Sequence, residues 1–517
     1  MNPDGMSYID IASNVVRDGP AQLLNGYWSP GYPAVLAGFL MVFRPSLEAT
    51  YPVVHLANFC IFGLAMLSFA FFLKQWIATW GAENSTKGAG AWLVPFGFSV
   101  FLWNSIELIG LAEVVPDMCV AAVVFLAAGV LCRASNAGAR LGDYAALGAI
   151  LGLGYYFKAA MFPIGLLGLA ACWIVPPTGL MKRQNIAFAA LVFLVVTAPL
   201  VGAQSDRAGK PSIGEVGRLS YVWAVNQFHP PAWTAADEHG TPEHAPRKLM
   251  TKPELLEFAE PVRGTFPLWY DPAYWYSGVK IKWDGQQQWA ALQRNSHRYG
   301  QILRYMNALL AGALLLAVLA LRDRNFALPE RRWSWQLIWP LSVAALYALV
   351  YIETRYVAPF CILLWLAVYG ILMPRVAATP RKVILASVIA TMLIPSLLVA
   401  GTIARSIFAG SWTEERRVAA ELQAMGLHKG DRVAIVGDGY ESYYAQIAGL
   451  KIVAEVPSES EFQDLSAPEL ESMTARLSAL GVKALIAKQR PARLAQAGWQ
   501  AVAGSSGYGI LPIAGRP

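Results

Sequence analysis

Apolar runs long enough to cross a bilayer recur through most of the first 405 residues, and this constrains the fold more than any motif. In hydrocarbon a chain must satisfy its own backbone hydrogen bonds, so each run must be a helix, needing roughly 17–25 apolar residues to span. Of the 517 residues, 56% are hydrophobic and 15% charged, where soluble domains average about 25% charged. The runs predict about ten membrane helices, with cores at 55–76, 90–106, 114–132, 143–157, 159–176, 184–204, 302–321, 335–351, 356–373 and 383–403. Segment 32–47 is shorter and flanked by prolines, so it is expected as a helix at the membrane interface.

The net charge of +7 is an orientation signal in such a chain, not a nucleic-acid surface. Lys74 and Lys87, Arg133 and Arg140, Lys182 and Arg183, Arg322 to Arg332, and Arg375 to Lys382 fall in five loops. Counting spans puts all five on one side, which the excess of cations makes cytoplasmic. The opposite side receives Asp4, Glu113, Asp117, Lys158, Glu353, Arg355, the loop 205–301 and the C-terminal tail. This parity leaves the N-terminus outside with no helix before it, so a helix upstream of Met1 is expected. The five cysteines lie in apolar stretches without C-x-x-C spacing, which indicates buried thiols and no cluster.

Residues 1–405 are therefore expected as the membrane domain and 406–517 as a small extracytoplasmic α/β domain. In the tail, Arg432–Val436, Lys451–Val456 and Val482–Ala487 read as strands. Ser466-Ala467-Pro468-Glu469 is a capping box that opens a helix. Gly437-Asp438-Gly439 follows a strand but lacks the third glycine of a dinucleotide loop, since position 442 is Ser.

Charged groups at the outer helix ends are the candidate site. Asp4 suits a general base or a carboxylate that orients a hydroxyl, and equally a helix cap. Glu113 and Asp117 stand at the mouth of a span, where acids either face a ligand or complement the helix dipole. Lys158 and Arg355 suit a lipid phosphate; Lys158 could otherwise snorkel, and Arg355 could pair with Glu353. The aromatic stretch with Trp269, Tyr270 and Asp271 suits stacking on sugars or packing on the bilayer. Asp237, Glu238, His239, Glu243 and His244 have metal-ligand chemistry without diagnostic spacing. No cofactor is required by any of these patterns, and a divalent metal is left open.

Asp4-Gly5-x-x-Tyr8, Asn25-Gly26-Tyr27-Trp28-Ser29-Pro30-Gly31-Tyr32-Pro33, Pro116-Asp117, Tyr155 with Lys158, and Glu353-Thr354-Arg355-Tyr356 together resemble the GT-C superfamily of glycosyltransferases. They are more narrowly similar to bacterial members of the dolichyl-phosphate-mannose–protein mannosyltransferase group. Lipid A aminoarabinose transferases are more distant relatives. The resemblance covers roughly residues 1–405. It implies a polytopic helical enzyme of the inner membrane, using a polyprenyl-phosphate sugar as donor, with inversion, on the outer face. Asp4 matches the essential acid of the first outer loop, with Gly5 where protein mannosyltransferases carry the second acid of an Asp-Glu pair. Glu113 or Asp117 would assist. Lys158 and Arg355 would hold the phosphate, and Tyr8, Tyr27, Trp28, Glu353, Tyr356, Trp269, Tyr270 and Asp271 would line the substrate site. A lipid, glycan or protein would be the acceptor. The rival expectation is a lipid flippase or transporter, which calls for mid-helix charges or two matching halves with broken helices.

Overall fold

The computed structural model describes residues 2–81, 90–135, 139–174, 182–230, 232–322, 334–408, 414–489, 498–502 and 507–513. Helices α1 (Pro3–Asp18) and α2 (Gly31–Phe43) precede the long apolar α3 (Thr50–Gly81). Then come α4 (Gly90–Trp103), which runs into a π-helical turn at Asn104–Ile109, α5 (Asp117–Ala134), α6 (Leu141–Phe157), α7 (Met161–Ile174) and α8 (Arg183–Ala208). The outer loop carries α9 (Val216–Ala224), strands β1 (Arg247–Thr251) and β2 (Glu254–Glu257), and the one-turn helices α10 (Pro267–Tyr270) and α11 (Pro272–Trp275). Next are α12 (Gly285–Tyr305), α13 (Asn307–Arg322), α14 (Ser334–Ala348), α15 (Thr354–Leu372) and α16 (Ala378–Phe408).

A helix stands at each of the about ten expected spans. Among the described residues, six helices are long and apolar enough to cross a membrane by length and composition, and a seventh only if α12 and α13 form one span bent by 78°. The expected span 302–321 breaks at Met306, where α12 ends and α13 begins one residue later. Helices α6, α7 and α14 have 17, 14 and 15 described residues. The apolar run that holds α6 and α7 is short in each limb because it turns back at Lys158. Burial orders the bundle: 89% of the apolar window of α5 is buried, against 28% in α8 and in α16. Side chains such as Val195, Leu397 and Leu398 lie mostly exposed, an apolar surface that water would not tolerate but lipid would. Gly148 lets α6 approach α8 closely, since a Cβ there would lie 2.1 Å from Ala189 O.

The tail begins with α17 (Glu414–Ala424) and continues with β3 (Arg432–Val436), α18 (Tyr443–Ala448), β4 (Lys451–Val456), α19 (Glu459–Gln463), α20 (Ala467–Ala479), β5 (Val482–Ala487), β6 (Gln500–Ala501) and β7 (Gly509–Pro512). The three expected strands and the capping box at Ser466 and Glu469 are present. The sheet order is β1-β2-β4-β3-β5-β7-β6. Strand β3 pairs in parallel with β4 and β5, whereas β2 adds to β4 antiparallel through Leu256↔Glu455. The outer loop thus contributes two strands to the tail's sheet. One sheet face, with Leu470, Met473 and Leu477 of α20, forms its own core; the other, with Val433, Ile435, Ile452 and Ile486, packs on Phe258, Phe266 and Trp275 of the outer loop.

Helix α1 clamps this assembly to the membrane part. Asn2 caps it, accepting from Gly5 N, and Pro3 occupies its first turn. One face presents Ser7, Asp10 and Asn14, all buried, at the 3–4 residue spacing of a helix stripe. Ser7 Oγ donates to Trp269 O at 2.9 Å, and Asn14 Nδ2 to Tyr270 Oη at 3.0 Å. Asp10 accepts from Thr265 N at 2.5 Å and from Thr265 Oγ1 at 3.1 Å, while Lys451 Nζ of β4 donates to Gly264 O at 2.8 Å. Opposite faces of α1 carry Tyr8, Ile11 and Val15 into the membrane-side core.

Asp10→Ala leaves the Thr265 amide buried and unpaired, which costs about 1–3 kcal/mol. A lower thermal midpoint in detergent is expected, with a smaller drop for Ser7→Ala; an unchanged midpoint for Asp10→Ala would mean that this clamp adds no stability.

Candidate functional site

Four helix ends converge where the apolar part meets the outer loop. They are the start of α1, the start of α5, the end of α6 and the start of α15, and each brings a charge. Gly5 makes the convergence feasible, since a Cβ at this position would lie 2.8 Å from Val114 Cβ. A glutamate in its place would collide with the turn that leads into α5.

Arg355 is the hub. Its Nη2 donates to Asp4 Oδ2 at 2.9 Å, its Nε to Glu353 Oε2 at 2.5 Å, and its Nη1 lies 3.7 Å from Asp117 Oδ2. Lys158 Nζ pairs with Asp117 Oδ1 at 2.5 Å and sits 3.6 Å from the centroid of the Tyr356 ring, a cation–π contact. Tyr351 Oη donates to Glu353 Oε1 at 2.9 Å. Three carboxylates therefore share two cations, with Asp117 2% exposed. The helix cap is Asn2, so the Asp4 carboxylate is not spent on capping. Burial raises the Asp4 carboxyl above its ordinary range, against the pull of Arg355 and with Glu353 and Asp117 adding to the rise. Its Oδ1 makes no hydrogen bond among the described residues.

These groups line one cavity of about 940 Å³, at the large end for small-molecule sites. Of the residues expected from sequence, it brings together Asp4, Tyr8, Tyr27, Trp28, Asp117, Lys158, Trp269, Glu353, Arg355 and Tyr356. Tyr8, Trp28 and Trp269 form a chain of edge-on rings with centroids 5.0 and 5.4 Å apart. Asn25 fixes that chain by accepting from Tyr27 N and Trp28 N and donating to Tyr270 O. Glu113 stands apart, in an adjoining cleft of about 740 Å³ that shares Asp4, Glu353 and Arg355 with the large cavity.

Tyr270 and Asp271 are absent from the lining of the large cavity. They follow Trp269 on a helix of a single turn, so successive side chains diverge. Tyr270 bonds Asn14, and Asp271 caps α11 and pairs with Arg207 at 2.5 Å. The histidine-rich stretch is likewise occupied with stacking: His239 lies 4.4 Å from the Phe228 ring and His244 3.8 Å from Tyr274. Among the described residues, no three His, Cys, Asp or Glu are grouped to hold a metal.

The cavity also holds residues that sequence reasoning passed over. Arg294 and Arg298 enter from α12, four residues apart on one helix face, which is the signal that could have found them. Arg298 lies 4.5 Å from the Tyr351 ring centroid and donates to Ile352 O. From the tail come Asp438, Tyr440 and Glu455. Asp438 belongs to the glycine turn but caps it, accepting from Tyr440 N at 2.8 Å. Glu455 is 3% exposed, and burial with help from Asp438 raises its carboxyl from 4.5 to about 8.

No family model and no curated protein matches the sequence. Among solved structures, ArnT from Cupriavidus metallidurans in the apo state matches with a TM-score of 0.56 at 13% identity, covering 100% of this chain and 94% of that one. The same protein bound to undecaprenyl phosphate matches at 0.54 and 13%, covering 99% of this chain and 94% of that one. The chain has the GT-C fold. It is a multi-pass membrane protein whose fold matches that of ArnT, with an alignment that covers the outer loop and the tail as well as the bundle. Within this GT-C fold the charged helix ends and residues of the tail line one cavity.

Arg355→Met deprives three carboxylates of their shared cation. Removing one side of a fully buried ion pair costs about 3–5 kcal/mol and this pair is half-buried, so a smaller but clear fall in the thermal midpoint is expected, partly recovered by adding Asp4→Asn; equal midpoints for Arg355→Met and wild type would contradict the pairing. A second outcome concerns pH. Between 4.5 and about 8 folded Glu455 keeps a proton that the unfolded chain has lost, so its contribution to stability is full at low pH and falls as pH rises through that window. Glu455→Gln should flatten the decline in thermal midpoint between about pH 5 and 8; parallel curves would contradict the raised value.

Proposed function

We propose that this chain is a glycosyltransferase of the bacterial inner membrane, moving a sugar with inversion from a polyprenyl-phosphate donor to a hydroxyl-bearing acceptor on the outer face. The observation that carries the reading is the contact between Asp4 and Arg355, 2.9 Å apart in a cavity that also holds Lys158. The GT-C fold and the binding of undecaprenyl phosphate by ArnT support it. The C-terminal domain would then be extracytoplasmic, since it lies at the cavity end of the bundle.

In this mechanism the acceptor oxygen attacks the anomeric carbon from the side opposite the phosphate. The carbon–oxygen bond to phosphate breaks, and the polyprenyl monophosphate leaves with the bonding pair. Asp4 takes the acceptor's proton, and its raised affinity for protons suits it to that role. Lys158 and Arg355 compensate the charge that grows on the departing phosphate, which needs electrostatic stabilisation more than protonation. Asp117 positions Lys158, and Glu353 positions Arg355. Ala159, Ala160, Pro163, Leu346 and Val350 give the cavity an apolar side against which the first isoprene units can lie. The charges gather at one end of the bundle, whereas a flippase would need them along its helices.

Purified protein incubated with radiolabelled polyprenyl-phosphate sugars should transfer label to membrane or glycan acceptors, with Asp4→Asn slowing turnover by about 10²–10⁴-fold while undecaprenyl phosphate still binds. Undiminished transfer by Asp4→Asn would remove the assignment of the base.

A further inference from the structure

The large cavity has a second group of carboxyl side chains that phosphate binding does not explain. It lies on the tail, where Asp438, Tyr440 and Glu455 enter the lining. Register locates Glu455 on its strand: Ala454 and Val456 face the α20 core, so the alternation along β4 turns Glu455 to the other face, and it pairs across β3 with Ile435. That face is otherwise built of Val433, Ile435 and Ile452. An apolar residue is what the sheet's packing calls for here, yet the chain buries a carboxyl group. Among the described residues one amide N–H, that of Gly439, meets this carboxyl, and no cation opposes it; the charge that acts on it is that of the second carboxyl, Asp438. A glutamine would serve the Gly439 amide equally well, so that bond does not account for the acid.

The surroundings indicate a ligand of a particular kind. Tyr440 packs edge-on against Trp269 at 5.0 Å, and Trp269 lies 6.0 Å from Trp223, which in turn meets Tyr276 at 5.4 Å. All four rings line the cavity, and Trp269 links them to Trp28 and Tyr8 beside Asp4. Flat aromatic faces beside carboxyl groups recognise a ring that is apolar on its faces and rich in hydroxyl donors at its rim.

Resting on the glycosyl transfer proposed above, we infer that Asp438, Tyr440 and Glu455 form a carbohydrate subsite through which the C-terminal domain selects the sugar. The carboxyl groups accept from ring hydroxyls, and Tyr440 with Trp269 and Trp223 offers the stacking faces. The cavity is then read from two ends: phosphate at Lys158 and Arg355, sugar at the tail sheet. The ring belongs either to the donor or to a glycan acceptor, and the two sources separate experimentally.

The test is a tryptophan-fluorescence titration of the full-length protein in nanodiscs. The probes are undecaprenyl phosphate, undecaprenyl-phosphate mannose, glucose and arabinose, and the methyl glycosides of the same sugars. Wild type should bind at least one sugar-bearing probe, and Glu455→Ala should weaken that binding by roughly 2–10-fold, the worth of a hydrogen bond to a neutral carboxyl group. Glu455→Gln and Asp438→Asn, which preserve shape and serve as folding controls by their thermal midpoints, should lose less. Undecaprenyl phosphate itself should bind wild type and all three variants equally. If only the lipid-linked sugars respond to the substitutions, the ring is the donor's; if the methyl glycosides respond while the lipid-linked sugars do not, it is the acceptor's. Wild type that binds no sugar probe better than bare undecaprenyl phosphate, or folded variants that bind every sugar as wild type does, would overturn the subsite. Failure of wild type to bind undecaprenyl phosphate at all would count against the phosphate end and the proposed reaction alone.

Discussion

A half-buried guanidinium shared by three carboxylates holds this molecule's site together. Arg355 stands at the start of α15, and its partners come from α1, from the turn before α15, and from the start of α5. Lys158 then ties α5 to the end of α6. Buried charges are expensive unless each finds a partner, so the four helix ends are constrained to meet in one arrangement. The same arrangement leaves an odd negative charge and, among the described residues, an Asp4 oxygen without a hydrogen bond. In the proposed reaction that oxygen is the proton acceptor, next to two cations.

The second constraint is the attachment of everything outside the bundle to α1. Asp4 sits in the first turn of this helix, and the stripe of Ser7, Asp10 and Asn14 follows along its length. The segment around Thr265 to Tyr270 docks on that stripe, and the tail sheet docks on the segment through Lys451 and through β2. A shift of the tail would therefore be felt at the helix that carries Asp4. The ring chain from Tyr8 through Trp28 and Trp269 to Tyr440 gives the two regions a common wall.

Charges at helix ends were legible in the sequence because an apolar chain makes each of them conspicuous. Asp4, Asp117, Lys158, Glu353 and Arg355 were found for that reason, and the structure brings them within contact. The tail's strands and capping box were legible from strand-sized apolar runs and one local motif. The stripe on α1 was not, since Ser7, Asp10 and Asn14 look like the wet face of an interfacial helix until their partner, 255 residues away for Asp10, is in place. Trp269 and Tyr270 could not be separated in sequence, because adjacent residues on a single helical turn face different ways. The bend at Met306 lies inside an apolar gradient that carries no proline or glycine signal at that position. Glu455 was hidden in a strand whose hydrophobicity gave no reason to look for a site.

The account stands on one cavity serving both the proton acceptor and the phosphate. An electron cryo-microscopy structure of the wild-type protein in nanodiscs with undecaprenyl phosphate tests this most directly. The phosphate should be found within about 2.7–3.2 Å of both Lys158 Nζ and an Arg355 guanidinium nitrogen, with Asp4 facing the same space. Phosphate density away from both side chains, or an Asp4 turned out of that space, would contradict it.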